Sequence, residues 1–199
     1  VAEFLSDDPA GTLAPSVPVL PATAFCDADD SAQVDLSAPA WNGWGVDLAN
    51  RRLQPTESAG LTADDVGGLR LRWAFGFPGV TATGSQATVV AGRVLVGTRN
   101  GLVYALDAAT GCVRWVHEAP TSVRSAISVG PADEGGFNAY FGDGFASVHA
   151  VDLLTGELRW TTTVESHAAA QITGAPALHD GVLFVPVSSL ERCRPPTRG

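Results

Sequence analysis

The chain reads as all-β, and as part of a β-propeller, on three observations. Landmark residues recur at one fixed interval, the stretches between them are β-branched and aliphatic, and the breaks are tight turns. "VYALDAATGCVRW" at 103–115 and "VHAVDLLTGELRW" at 148–160 are near copies of each other. Asp107 and Asp152, Gly111 and Gly156, Trp115 and Trp160, and Gly97 and Gly142 are each 45 positions apart. A period in the forties belongs either to propeller blades or to helical arrays.

The elements follow in order. Residues 1–40 are rich in Pro, Ala, Ser and Asp, with no usable periodicity beyond a short "VAEFL". They read as a linker or the tail of a preceding domain, ahead of a body at 41–199. "LTADDVGGL" at 61–69 offers Thr62 as N-cap and Asp64 and Asp65 in the first turn, so a short helix is expected. A strand ending at Trp73 comes next. "GRVLVGT" at 92–98, "LVYALDA" at 102–108 and "CVRWVHE" at 112–118 are then separated by "RNG" and "ATG". Short runs bounded by Asn-Gly and Thr-Gly form a meander of antiparallel strands. Helices of ten or more residues do not fit between these turns. "GAPALHDGVLFVPVSS" at 174–189 matches "SQATVVAGRVLVGT" at 85–98. About three units result, at 70–115, 116–160 and 161–199. Propellers usually need four to eight blades, and an open arc would leave strand edges uncovered. The chain therefore reads as a fragment, as do its lack of Met and its start at Val1.

The recurring residues have structural work. Asp107 and Asp152 close a strand and can accept hydrogen bonds from the following turn. Gly111 and Gly156 can take the positive φ such a turn needs. Trp115 and Trp160 open the next strand, where an indole can wedge between neighbouring sheets and find a partner for its N–H.

Composition narrows the function. The net charge is −9 over 199 residues, with no cluster of Lys or Arg. That excludes a nucleic-acid binder and an anionic membrane surface. No apolar run reaches the roughly 18 residues a membrane span needs. Cys26, Cys112 and Cys193 have no metal-ligand spacing, and one disulfide or three free thiols are equally open. The four histidines are scattered; His149 stands where the first copy has Tyr104 and reads as a packing residue, whereas His167 and His179 read as solvent-facing.

The repeat A-x-D-x-x-T-G-x-x-x-W, present as "ALDAATGCVRW" and "AVDLLTGELRW", resembles the tryptophan-docking motif of quinoprotein dehydrogenases. These are eight-bladed propellers that bind pyrroloquinoline quinone (PQQ). The lead-in "WNGWGVDLANRRLQ" at 41–54, with "VRSAISVG", "AAAQITGAPALHDGVLFVPVSSLE" and "ATGCVRW", is similar to the polyvinyl alcohol dehydrogenase branch and its cytochrome-fused relatives. The resemblance runs from about Trp41 to Glu191. It implies a fragment holding the N-terminal blades of a PQQ-dependent, periplasmic oxidoreductase that takes alcohols, including secondary polymeric ones such as polyvinyl alcohol. Cytochrome c is the implied electron acceptor, and 1–40 the implied tail of a cytochrome c-like domain, with haem c in a part not present.

Residue by residue, the resemblance implies few sites. Ser188 and Ser189 of "PVSSLE" would lie at PQQ, and Glu191 would bind Ca²⁺. Thr173 of "ITGAP" and Arg124 of "VRSAI" would meet PQQ oxygens or carboxylates. The chemistry is compatible: a guanidinium binds carboxylate at two points, and Ca²⁺ takes oxygen ligands. No catalytic residue falls in this chain, because the family's catalytic aspartate and stacking tryptophan belong to later blades. The ending "RCRPPTRG", with a lone Cys193, departs from the adjacent cysteines of relatives, and C-x-x-C-H is absent. The alternative is a non-enzymatic propeller of the outer-membrane assembly type, binding other proteins, or a sensor.

Overall fold

A computed structural model describes residues 20–27 and 34–189. Two four-stranded antiparallel sheets carry the fold. The first runs β1 (Thr88–Val90), β2 (Arg93–Gly97), β3 (Leu102–Asp107) and β4 (Val113–Glu118), paired in that order. The second runs β5 (Ser128–Pro131), β6 (Phe137–Gly142), β7 (Ser147–Asp152) and β8 (Leu158–Thr163), again in chain order. Sequential pairing of this kind is a blade. The third unit is partial: β10 (Ala177–His179) pairs with β11 (Val182–Phe184), and β9 (Ala170–Gln171) with β12 (Ser188–Ser189).

The repeat is carried down to single hydrogen bonds. The Asp107 carboxylate accepts from the Ala109 and Thr110 amides at 2.9 and 2.8 Å, and the Asp152 carboxylate from Leu154 and Thr155 at 2.8 and 2.9 Å. Each turn closes with a glycine amide on the aspartate carbonyl, at φ +78° for Gly111 and +73° for Gly156. The pairing register shifts at Ala105/Leu106 in one sheet and Ala150/Val151 in the other. Such bulges twist the strand just ahead of its turn. The sequence reading did not use Arg114 and Arg159, yet each guanidinium bonds the outer oxygen of its own turn aspartate, at 2.5 and 2.6 Å.

The core lies between the two sheets. Leu95, Val103, Ala105 and Trp115 of the first meet Val129, Ala139, Phe141, Val151 and Leu153 of the second, all buried. Trp115 donates to the Leu153 carbonyl at 2.9 Å. One unit earlier, Trp73 donates to the Ala108 carbonyl at 3.1 Å. Burial of His149 is complete; it hydrogen-bonds the Asp143 carboxylate at 3.0 Å and stacks on Phe141 at 11°.

Four expectations need correction or completion. Trp73 does not end a strand: 69–77 belongs to no sheet among the described residues, and Phe75 and Phe77 hold it by packing on Tyr104. The helix at Thr62 is a 3₁₀ helix, Ala63–Gly68, with Thr62 and Asp65 forming a reciprocal cap. Trp160 is not wedged between sheets; it is 40% exposed and touches Tyr140 of its own sheet. Two of the three cysteines are joined: Cys26 and Cys112 form a disulfide, with Phe25 bridging Val113 beside it.

Candidate functional site at the first-strand edge

The first strands of successive units are stitched by one repeated bond. Thr88 of β1 donates its hydroxyl to the Ile127 carbonyl at 2.5 Å. Ser128 of β5, at the equivalent place, donates to the Pro176 carbonyl. The lead-in segment lies along the same edge. Trp41 exchanges two backbone bonds with Val89, at 2.8 and 2.9 Å. Asn42 uses its side-chain amide as a backbone would, with two bonds of 2.7 Å to the Val129 N–H and C=O. Otherwise unpaired groups of β1 and β5 are thereby satisfied. The segment also walls a cleft of about 410 Å³, facing Ser128 and 174–178, with Trp44 on its wall and Arg52 placed over that indole at 5.2 Å.

This edge organises the expected site residues. Gly84, Arg124 and Thr173 each stand four residues ahead of the first strand of their unit, at β1, β5 and β10. Arg124 is half-buried, and its side chain crosses Gly84 so closely that a β-carbon there would lie 3.3 Å from its Cγ. Its Nε is buried without a partner. Next to it, Ser125 fixes the backbone by exchanging hydrogen bonds with the Gly142 carbonyl and amide at 3.1 and 2.9 Å. Thr173 and Ser188 are brought together through β9 and β12: their hydroxyls are 3.2 Å apart, and Ser188 donates to the Gln171 carbonyl at 3.2 Å. Ser189 pairs with Ala170 across the same strands. Glu191 lies outside the described residues. Among the described residues there is no cluster of three or more His, Cys, Asp or Glu side chains able to hold a metal.

A guanidinium with an unsatisfied, buried Nε can take a carboxylate oxygen as its partner. Asn42, Gly84 and Ser125 were not singled out from the sequence. Their roles rest on contacts 17 to 87 positions away, and only the equal offset of Gly84 from its strand could have pointed to one of them.

Two blades, with Trp73 and Trp115 docked on the turns that carry Gly111 and Gly156, followed by the start of a third, define a PQQ-type β-propeller. The chain belongs to the family whose model is described as "Outer membrane protein assembly factor BamB", which matches residues 34–191. Its curated relatives include a polyvinylalcohol dehydrogenase from Pseudomonas sp., 44% identical over 160 residues, or 78% of this chain and 24% of that protein. A second polyvinylalcohol dehydrogenase, from Sphingopyxis sp., is 38% identical over the same shares. The quinohemoprotein alcohol dehydrogenase from Comamonas testosteroni superposes with a TM-score of 0.58 at 22% identity, covering 76% of this chain and 23% of that one. This last likeness speaks for the fold. The chain spans about a quarter of the length of these proteins.

Proposed function

We propose that this chain is the part of a PQQ-dependent alcohol dehydrogenase that holds one side of the cofactor, in an enzyme acting on secondary alcohols such as those of polyvinyl alcohol. The observation that carries this reading is the 44% identity to a polyvinylalcohol dehydrogenase over 160 residues. Bound PQQ supplies a two-electron acceptor for oxidation of the alcohol. The chain's own contribution is binding: Arg124 pairs with a carboxylate or quinone oxygen, and the Thr173 hydroxyl, seated beside Ser188, donates to another. Ser189 extends that set, and Glu191 is the proposed ligand of Ca²⁺. Electrons then pass to cytochrome c, with 1–40 as the tail of a cytochrome c-like domain that carries haem. The Cys26–Cys112 disulfide suits an oxidising compartment such as the periplasm. The family description leaves a scaffold propeller as the rival reading.

The test is titration of the 199-residue chain with PQQ and Ca²⁺, followed by quenching of tryptophan emission. Saturable quenching, weakened at least tenfold in Arg124→Ala, is the expected result. No quenching by the unaltered chain supports the scaffold instead. Alcohol-dependent dye reduction by the chain alone would contradict its being one portion of a larger catalyst.

A further inference from the structure

The first strands of the three units each bring one equivalent residue to the lead-in edge. These are Val89, Val129 and Leu178, which follow Gly84, Arg124 and Thr173 at the same distance. Two of the three are capped: Trp41 pairs its main chain with Val89, and Asn42 pairs its side-chain amide with Val129. Leu178 stands in the register of Val89. Both hairpins turn through two residues of positive φ, Ala91–Gly92 at +46° and +72° and Asp180–Gly181 at +48° and +76°. Val89 then faces Val94, and Leu178 faces Leu183, one pair before each turn. In an antiparallel ladder the N–H and C=O groups of successive residues alternate between the partner strand and the open edge. Leu178 therefore sends its pair outward, as Val89 does. Among the described residues, none outside the hairpin bonds to either group.

The lead-in leaves this edge at Gly43. Its φ is +95°, and a β-carbon there would meet the Ser128 hydroxyl at 2.9 Å. The chain then folds on itself: Val46 donates to the Arg51 carbonyl at 2.9 Å, and Arg51 pairs with Asp47. Between this loop and 174–178 lies the cleft of about 410 Å³. Its one charged lining residue, Asp47, is neutralised by Arg51, so the lining suits a neutral ligand. Trp44, 38% exposed, presents an indole to it. The Asn50 carboxamide lines it too and has no hydrogen-bond partner among the described residues.

We infer that this cleft is a subsite for a neutral chain carrying hydroxyls on alternate carbons, holding units of a polymeric secondary alcohol beside the one that reacts. The choice of ligand rests on the alcohol reading given above; the place of the subsite does not. Asn42 shows the chemistry that this edge accepts: one donor and one acceptor, borne on a single carbon, stand in for a strand at Val129. Two hydroxyls on alternate carbons, turned to the same side, offer the same pairing, because each can donate and accept. One accepts from the Leu178 N–H and its neighbour donates to the Leu178 C=O, while Asn50 takes a third. The methylene side lies against the Trp44 indole. Gly174, the residue after Thr173, begins the wall, so a chain held there lies beside the residues proposed to bind the cofactor.

The test is titration of the 199-residue chain with a short vinyl alcohol oligomer, followed by calorimetry in the absence of PQQ. Saturable binding is expected, about tenfold weaker in Trp44→Ala and about fivefold weaker in Asn50→Gly. Glycine keeps the left-handed backbone of position 50, where φ is +56°, so a loss there reports the carboxamide rather than the fold. The same oligomer with its hydroxyls methylated accepts but cannot donate, and should bind about tenfold less. No saturation overturns the inference, as does equal affinity of both variants or of the methylated oligomer. PQQ titration judges the other reading separately. Oligomer binding without PQQ quenching sustains the subsite and removes the cofactor role; quenching without oligomer binding does the reverse.

Discussion

The indole ring of Trp115 occupies the space a side chain on Gly156 would need. A β-carbon on Gly156 would stand 2.6 Å from the ring's Cε3, and the glycine's φ of +73° is itself costly for any other residue. This contact closes the interface between the two sheets. Gly156→Val therefore carries both a backbone and a steric penalty, with an expected loss of about 2–4 kcal/mol. Urea unfolding followed by tryptophan emission measures it. Gly135→Ala, at a turn where φ is also positive but nothing lies within 4 Å, should cost about 1 kcal/mol.

Acid should loosen the repeat turns at a definable pH. Burial pushes the Asp107 carboxyl up, but the Thr110 hydroxyl, Arg114 and two backbone amides outweigh it and hold its pKa at about 2. A carboxylate depressed in the folded state stabilises above its unfolded pKa, and that stability is lost as pH falls through about 2. Asp107→Asn should remove this dependence and lower stability at neutral pH by about 1–2 kcal/mol. Unfolding free energies of the two proteins between pH 2 and pH 5 should converge toward the acid end.

His117 adds a second window. Burial lowers its pKa from the ordinary histidine value, although the Gly156 carbonyl, 3.0 Å from its Nδ1, works the other way. The unfolded chain then binds a proton that the folded chain resists. Stability is full above the unfolded pKa near 6.5 and declines below it. Replacing His117 with Phe should flatten the stability profile between pH 5 and pH 7; an unchanged slope would show that another group titrates there.

Reduction of the Cys26–Cys112 bond should matter more than its surface position suggests. It closes a loop across 86 positions and ties 20–26 to β4, where Cys26 also donates to the Val113 carbonyl. Loop-closure entropy puts its contribution at about 2–5 kcal/mol. Thermal unfolding with and without a thiol reductant, beside Cys26→Ser, gives the value.

The turns were legible in the sequence because both the residues and their spacing are set by local geometry. Asp, Thr and Gly within five positions build one turn, and an interval of 45 repeats it. The first-strand edge was not legible. Thr88 and Ser128 are 40 apart, but the third unit starts 49 positions after the second, so the common interval slips where the rim is formed. Asn42 was hidden for another reason: its partner, Val129, is 87 positions away and is met through backbone atoms. Among the site residues, the Thr173 and Ser188 hydroxyls are 3.2 Å apart, and Arg124 lies at the place equivalent to Thr173 one unit earlier. Family resemblance, rather than spacing, pointed to all three. Trp73 misled because its segment is held by side-chain packing and by the Arg72 and Trp73 side chains on the Ala109 and Ala108 carbonyls, with no sheet partner among the described residues.

The stitch from Thr88 to Ile127 and from Ser128 to Pro176 asks for a hydroxyl on one side only. Its other half is a peptide oxygen, which every residue owns, proline included. Isoleucine and proline both serve as recipients, so the seam that joins neighbours leaves the choice of amino acid there to packing rather than to the bond itself.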